Sequence, residues 1–296
     1  MNDRTIEEDS LFFKGVENRQ EHFSKIGYSA FYFALTFIII AYTGHAWSTS
    51  NAWDIGLYPK FNYDGMQSLA GTGGWNVNRI AWVYLAPPIW GLLISAFALV
   101  ASSVIEGKNV HVRTILFWLA FNGYLYYFSF VVTGILSGQD YGSKLFTGFV
   151  AFYSWLLWPK AKIYGLLVFQ VIISLVYPLL FSKSILQLNY SRLLASKTGI
   201  GKQIVFLHIF TLPIAVGMIL VVLSTFPMDF KYQLVRFACI LPIGIVAALG
   251  MSLHKAKHIS IVKGGLKPVP VLGLVLLIAL LLLSRFGLQL MVKPLW

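Results

Sequence analysis

Charge is what this sequence has least of. Only 11% of its 296 residues are Asp, Glu, Lys or Arg and 57% are apolar, whereas an ordinary soluble domain is about 25% charged. That composition excludes a soluble globular protein. Acids are scarcer still, eleven against 23 basic residues for a net charge of +12, and six of them (Asp3, Glu7, Glu8, Asp9, Glu17 and Glu21) fall in the first 21 residues. None stands in the middle of a long apolar run. Proton-coupled carriers and pumps hold ionisable groups there because function offsets the burial cost, so the absence argues against proton-driven transport and against acid-base catalysis within a bilayer. The single cysteine, Cys239, excludes an intramolecular disulfide and a thiolate metal cluster; inside an apolar run it reads as a small buried residue. Internal repeats and low-complexity tracts are also absent.

What is present is length of apolar chain, with a mean hydropathy of +0.72. A membrane span needs about 20 apolar residues rising 1.5 Å each. Runs at 28–46, 80–104, 114–136, 163–182, 204–226, 234–252 and 269–290 meet that length. An eighth run, 145–158, would reach only about 21 Å against a hydrocarbon core of about 30 Å, and it is bounded by Asp140 and Lys144 on one side and Pro159 and Lys160 on the other. The expectation is an all-α, polytopic membrane protein: a polar tail at 1–27, then a single transmembrane domain at 28–296. It has seven spans plus one short re-entrant or interfacial segment, with eight spans as the alternative. Cations concentrate on the cytoplasmic side. With the N-terminus inside and 145–158 not crossing, 14 of the 23 basic residues lie inside; with it crossing, 12 do. Hence seven spans and a cytoplasmic N-terminus are expected. No cleavable signal peptide is visible, since 1–26 is polar and the first run is long enough to stay. Residues 184–195 suit an interfacial helix or an irregular loop, and 47–79, with Trp47, Trp53, Tyr58, Tyr63 and Trp75, suits an ordered connection at headgroup depth.

The basic excess sits in short loops, where it orients the chain and meets anionic headgroups, so nucleic acid is not an expected partner; the bilayer, and another membrane protein, are. Polar side chains within the runs are few: Asn122, Gln170, His208, Arg285 and the cluster Tyr124, Tyr126 and Tyr127. Asn and Gln at such positions usually hydrogen-bond between helices, and Arg285 reaches headgroups from a helix end. Pro87, Pro88, Pro178, Pro213 and Pro242 kink or break helices. His254 and His258 have i, i+4 spacing, which puts two imidazoles on one helix face, but Lys255 and Lys257 lie between them and a solvated basic loop is the better reading. His22 and His111 lie in polar flanks.

His45 closes the first run in Ala41-Tyr42-Thr43-Gly44-His45, and Asp140 closes the third in Gly138-Gln139-Asp140-Tyr141-Gly142. Three successive spans place both on one side of the membrane, where an imidazole and a carboxylate are two of the three protein ligands a zinc site needs. This layout resembles the intramembrane zinc metalloproteases of the site-2 protease family, in which an HExGH motif on one helix and an Asp-Gly two helices later hold the metal. The resemblance covers roughly residues 30–145, including the long loop and the segment from Arg79 to Gly91. It implies a metal site at His45 and Asp140 with zinc as the candidate metal; the alternative, with no cofactor, is that His45 is an interfacial polar residue and Asp140 caps a turn. Ala41 stands where the first histidine ligand belongs and Tyr42 where the catalytic glutamate belongs. A zinc-bound water needs that general base to attack a peptide carbonyl, so the resemblance implies an inactive relative.

Three functional readings remain at this point: a non-catalytic scaffold or subunit that binds other membrane proteins; a transporter or channel for a small or lipid-like solute; and an enzyme using metal or haem at the few histidines. Converging acids, bases and ligands are what chemistry requires. Their poverty here favours binding or structure.

Overall fold

The computed structural model describes residues 19–54, 60–62, 65–67, 76–104, 110–141, 143, 145–188, 199–225 and 230–254, together with Val275 and Ala279. Among them, six helical segments are long and apolar enough to cross a membrane: Phe23–Asp54, Ala86–Val104, Val110–Leu136, Lys160–Gln187, Gly201–Ser224 and Gln233–Leu253. The expected all-α polytopic architecture is what is found. The expected seventh run, 269–290, lies outside the described residues apart from Val275 and Ala279, and Arg285 and His258 lie outside them altogether.

Helix α1 (Arg19–Asp54) is longer than its apolar run. It continues eight residues past position 46, so the first part of the expected loop is helical. A short antiparallel hairpin follows, β1 (Lys60–Asn62) against β2 (Gly65–Gln67). The run at 80–104 is two helices, α2 (Val77–Tyr84) and α3 (Ala86–Val104), parted at Leu85. Pro87 and Pro88 explain the break, because proline is accommodated in a helix's first turn and not in its interior. Asn76 caps α2, its Oδ1 accepting from the Arg79 amide at 2.9 Å.

Helix α4 (Val110–Leu136) is apolar nearly all round, and a helix of that kind belongs inside. Its apolar window is 72% buried, the highest share of the six spans. Trp118, Phe121, Leu125 and Val131 are fully enclosed. The closest approach is to α3, where a Cβ built on Gly91 would lie 2.6 Å from the Gly123 carbonyl and one on Gly123 2.5 Å from the Gly91 carbonyl. Small residues admit this backbone contact between spans.

The short run at 145–158 contains only α5 (Phe149–Trp155), whose seven residues rise about 10 Å and cannot cross. Its Phe149, Val150 and Ala151 are buried against α4 and neighbours. Helices α6 (Lys160–Ser174) and α7 (Leu179–Gln187) form one crossing with a tight break at 175–178, before and at Pro178. Residues 184–187 of the 184–195 segment continue α7, and 189–195 lie outside the described residues. The next crossing joins α8 (Gly199–Phe206) to α9 (Leu212–Thr225) through a π-helical turn at Leu207–Thr211. Pro213 lies just beyond, and the widened turn is a recognised way for a helix to absorb local distortion. Helix α10 (Phe230–Leu253) contains Pro242.

An aromatic core of Phe33, Trp118, Phe121, Phe181 and Phe210 holds α1, α4, α7 and the π-helical turn together, with Phe121 and Phe210 edge-on at 5.1 Å. Of the polar side chains expected inside the bilayer, Asn122 and Tyr124 act as interhelical ties. Asn122 Nδ2 donates to the Phe33 carbonyl and to Thr36 Oγ1, both at 2.8 Å. Tyr124 donates to the Ser174 carbonyl and stacks on Tyr177 at 4.7 Å, and Ser95 donates to the Ala120 carbonyl at 2.6 Å.

Candidate functional site

Two places collect unusual chemistry, and α10 contributes to both. The first is a buried polar cluster at the junction of α1, α4 and α10. Arg236, near the start of α10, has 0% of its surface exposed. Its Cζ sits 4.7 Å from the centroid of the Tyr126 ring and 5.7 Å from that of Phe37, so two π faces help to offset the desolvation of the guanidinium. At the hydroxyl of the same phenol, His45 Nε2 and the Tyr126 oxygen are 3.1 Å apart. The close packing depends on Gly44, since a Cβ there would be 3.0 Å from Tyr126 Cε1.

Arg236 is not among the candidates that the sequence pattern singles out. A cation near the edge of an apolar run reads as an anchor that snorkels to headgroups, and only the packing of α10 on α1 and α4 turns it inward. The available signal was its place after Leu234 and Val235, already inside the run.

His45 is therefore within α1 and not at its end, because the helix goes on to Asp54. Asp140 is exposed beyond the end of α4. Ten residues of α4 separate Tyr126, which His45 touches, from Leu136, a rise of about 15 Å. The fold does not bring His45 and Asp140 together. Among the described residues no three His, Cys, Asp or Glu side chains converge.

Among the described residues, His111 and His254 are tied into the helix bundle. The Tyr32 hydroxyl and His111 Nδ1 are 2.8 Å apart, and Ser182 Oγ and His254 Nε2 are 3.0 Å apart. Lys202 Nζ donates to the carbonyls of Ser252 and His254, closing the C-terminal end of α10. His208 is buried in the π-helical turn.

The second place is a groove of about 360 Å³ between α6 and α10, floored by α4. Val171 and Leu175 form one wall, Leu234, Val235, Ala238, Cys239 and Pro242 the other, and Phe128, Val132 and Leu136 the floor. Every lining side chain is apolar or, in Cys239, only weakly polar. Its mouth lies between two faces that point away from the bundle: Val168, Ile172 and Val176 on α6, and Leu241 and Ile245 on α10, all exposed. Those faces are apolar and exposed among the described residues. Cys239 is buried, as its place in an apolar run implies, and its position on a groove wall depends on which helices flank α10.

Comparison with protein-family models, with curated protein sequences and with solved structures gives no match.

Proposed function

We propose that this multi-pass membrane protein binds a lipid-like solute, taken laterally from the bilayer into the groove between α6 and α10. The observation that carries the reading is the groove itself: a volume of about 360 Å³ lined by hydrocarbon side chains, set within membrane-spanning helices and flanked by exposed apolar faces. Ligand sites are concave and predominantly apolar, and nothing lining this one supplies a nucleophile, a general base or a metal ligand beyond the lone thiol. Binding or carriage of an apolar molecule fits it better than chemistry does.

The test uses palmitate bearing a photoactivated diazirine, with the protein in lipid nanodiscs and labelled residues mapped by mass spectrometry. Label should concentrate on Val132, Val171 and Ala238, and Ala238→Trp, which fills the groove, should remove most of it. Labelling no stronger there than on the open outer face of α3, at Leu93 and Phe97, would refute the reading.

A second reading is a scaffold or subunit, in the form of a non-catalytic relative of the site-2 proteases. What favours it is the shallow burial of two spans: the apolar windows of Ala86–Val104 and Lys160–Gln187 are only 28% and 22% covered by the rest of the chain. Helix α3 presents Leu93, Phe97, Val100 and Val104 outward, a stripe that suits another membrane protein's helix. Its test is a polar substitution, Phe97→Asn, which should weaken co-purification of a membrane partner without changing palmitate labelling.

A further inference from the structure

We infer that the occupant of this groove is an anionic glycerophospholipid from the leaflet at the C-terminal end of α4, its acyl chain between α6 and α10 and its phosphate at Lys160 and Tyr164. The inference rests on the groove reading above and adds the headgroup.

The argument starts from the spacing along α6. Val171 and Leu175 line the groove, and on a helix the residues seven and eleven positions before Val171 share its face. Those residues are Tyr164 and Lys160. Lys160 is the first residue of α6 and is exposed, and Tyr164 is partly buried. Both lie on the groove's own stripe, about 10 and 16 Å towards the membrane surface from Val171. Lys162 lies on the opposite side of the helix, where its Nζ sits 3.9 Å from the centroid of the Trp158 ring.

The polar end is held in place. Gln139, buried in the turn after α4, donates from Nε2 to the Lys160 carbonyl at 3.0 Å, fixing the start of α6 against the end of α4. That turn has left-handed backbone at Gly138 and Gln139, with φ of 63° and 55°. The Tyr164 hydroxyl points to it, lying 4.0 Å from where a Cβ on Gly138 would be. A phenolic hydroxyl and an ammonium at one end of an apolar slot are donors with no acidic neighbour on their own stripe. That is the donor set of a phosphate site, with lysine as the point charge.

Depth and charge agree with this assignment. From Phe128 to Leu136 the floor runs eight residues of α4, about 12 Å, against about 15 Å for the hydrocarbon half of a bilayer. The groove therefore accepts most of one acyl chain and ends where headgroups begin. Exposed Tyr141, five residues beyond Leu136 at the groove's end, marks that level, as interfacial aromatics do. Between positions 137 and 162 the sequence carries three lysines (Lys144, Lys160 and Lys162) and one acid, Asp140, a balance that attracts anionic lipid.

The experiment compares phosphatidylglycerol and phosphatidylcholine carrying the same diazirine-bearing acyl chain, each at low mole fraction in nanodiscs of unlabelled phosphatidylcholine. Groove residues should be labelled about fivefold more by the anionic lipid, as expected of one well-placed lysine at a membrane surface. Lys160→Gln should abolish that preference, and Lys162→Gln should leave it intact. Equal labelling by the two lipids, an unchanged preference in Lys160→Gln, or an equal loss in Lys162→Gln overturns the headgroup assignment. In each of those outcomes groove labelling that Ala238→Trp still blocks leaves the apolar site standing. Absence of groove labelling by both lipids and by palmitate overturns the site and the headgroup together.

Discussion

The Arg236 guanidinium carbon lies 4.7 Å from the centroid of the Tyr126 ring, and this contact binds α10 to α4 at the point where His45 reaches the same phenol from α1. A fully enclosed cation within a membrane span is uncommon and costly. Here it is met by ring faces, of Tyr126 and Phe37, in a bundle whose sequence places no acid at span centres.

The cluster makes an asymmetric prediction. Replacing a buried charge by an apolar side chain of similar volume is often neutral or stabilising, whereas stripping away the groups around it is not. Arg236→Met should hold or raise the melting temperature of the detergent-solubilised protein. Tyr126→Ala removes a ring face, a hydrogen bond and core volume at once and should cost about 3–5 kcal/mol. A larger loss in Arg236→Met than in Tyr126→Ala would show that the guanidinium holds the three helices together by itself.

Gly91 and Gly123 set the separation of α3 and α4. Alanine at Gly123 would put a methyl group 2.5 Å from the Gly91 carbonyl, a clash with backbone that only helix separation relieves. Gly123→Ala should therefore lower the yield of folded protein sharply in size-exclusion chromatography. Gly165 on α6 has nothing within 4 Å of its virtual Cβ, so Gly165→Ala should elute as the wild type does. Matching behaviour of the two variants would contradict the close α3–α4 contact.

Asn122 links α4 to α1 by two hydrogen bonds of 2.8 Å. Interhelical hydrogen bonds within membranes contribute about 0.6–2 kcal/mol. Asn122→Leu should lose stability of that order in an unfolding titration with denaturing detergent, and Thr36→Val should lose less, because the bond to the Phe33 carbonyl remains. Additive losses in the double variant would show that the two side chains are not coupled.

Gly148 precedes α5 with φ of 62°, and a Cβ there would come within 2.7 Å of Phe130 Cδ1. Both the left-handed backbone and the lack of space demand glycine. Gly148→Ala should cost more than 1 kcal/mol and displace α5, read as faster protease cleavage between Tyr141 and Lys160. Unchanged cleavage would mean that α5 is not held by this turn.

The apolar runs were legible because bilayer thickness converts directly into run length, and six of the expected spans are helices long enough to cross. Their ends were less legible. Helix α1 runs on to Asp54 because polar residues such as Ser48 and Asn51 bond to backbone carbonyls of Val83 and Trp82, which hydropathy cannot register. The breaks at Leu85 and before Pro178 were foreshadowed by prolines, since a missing N–H acts locally. The pairing of His45 with Asp140 followed from counting membrane sides, and a shared side does not imply contact; the helix between them keeps them apart.

By itself, then, the sequence determined the membrane setting, the helical class and the dearth of buried acids, all of which follow from composition and the fixed rise of a helix. Tertiary structure decided that Arg236 turns inward onto Tyr126 and that α6 and α10 stand apart over α4 to leave a groove. Those outcomes depend on which helix faces meet, and a helix that is apolar all round, as these nearly are, carries little periodic signal to say so.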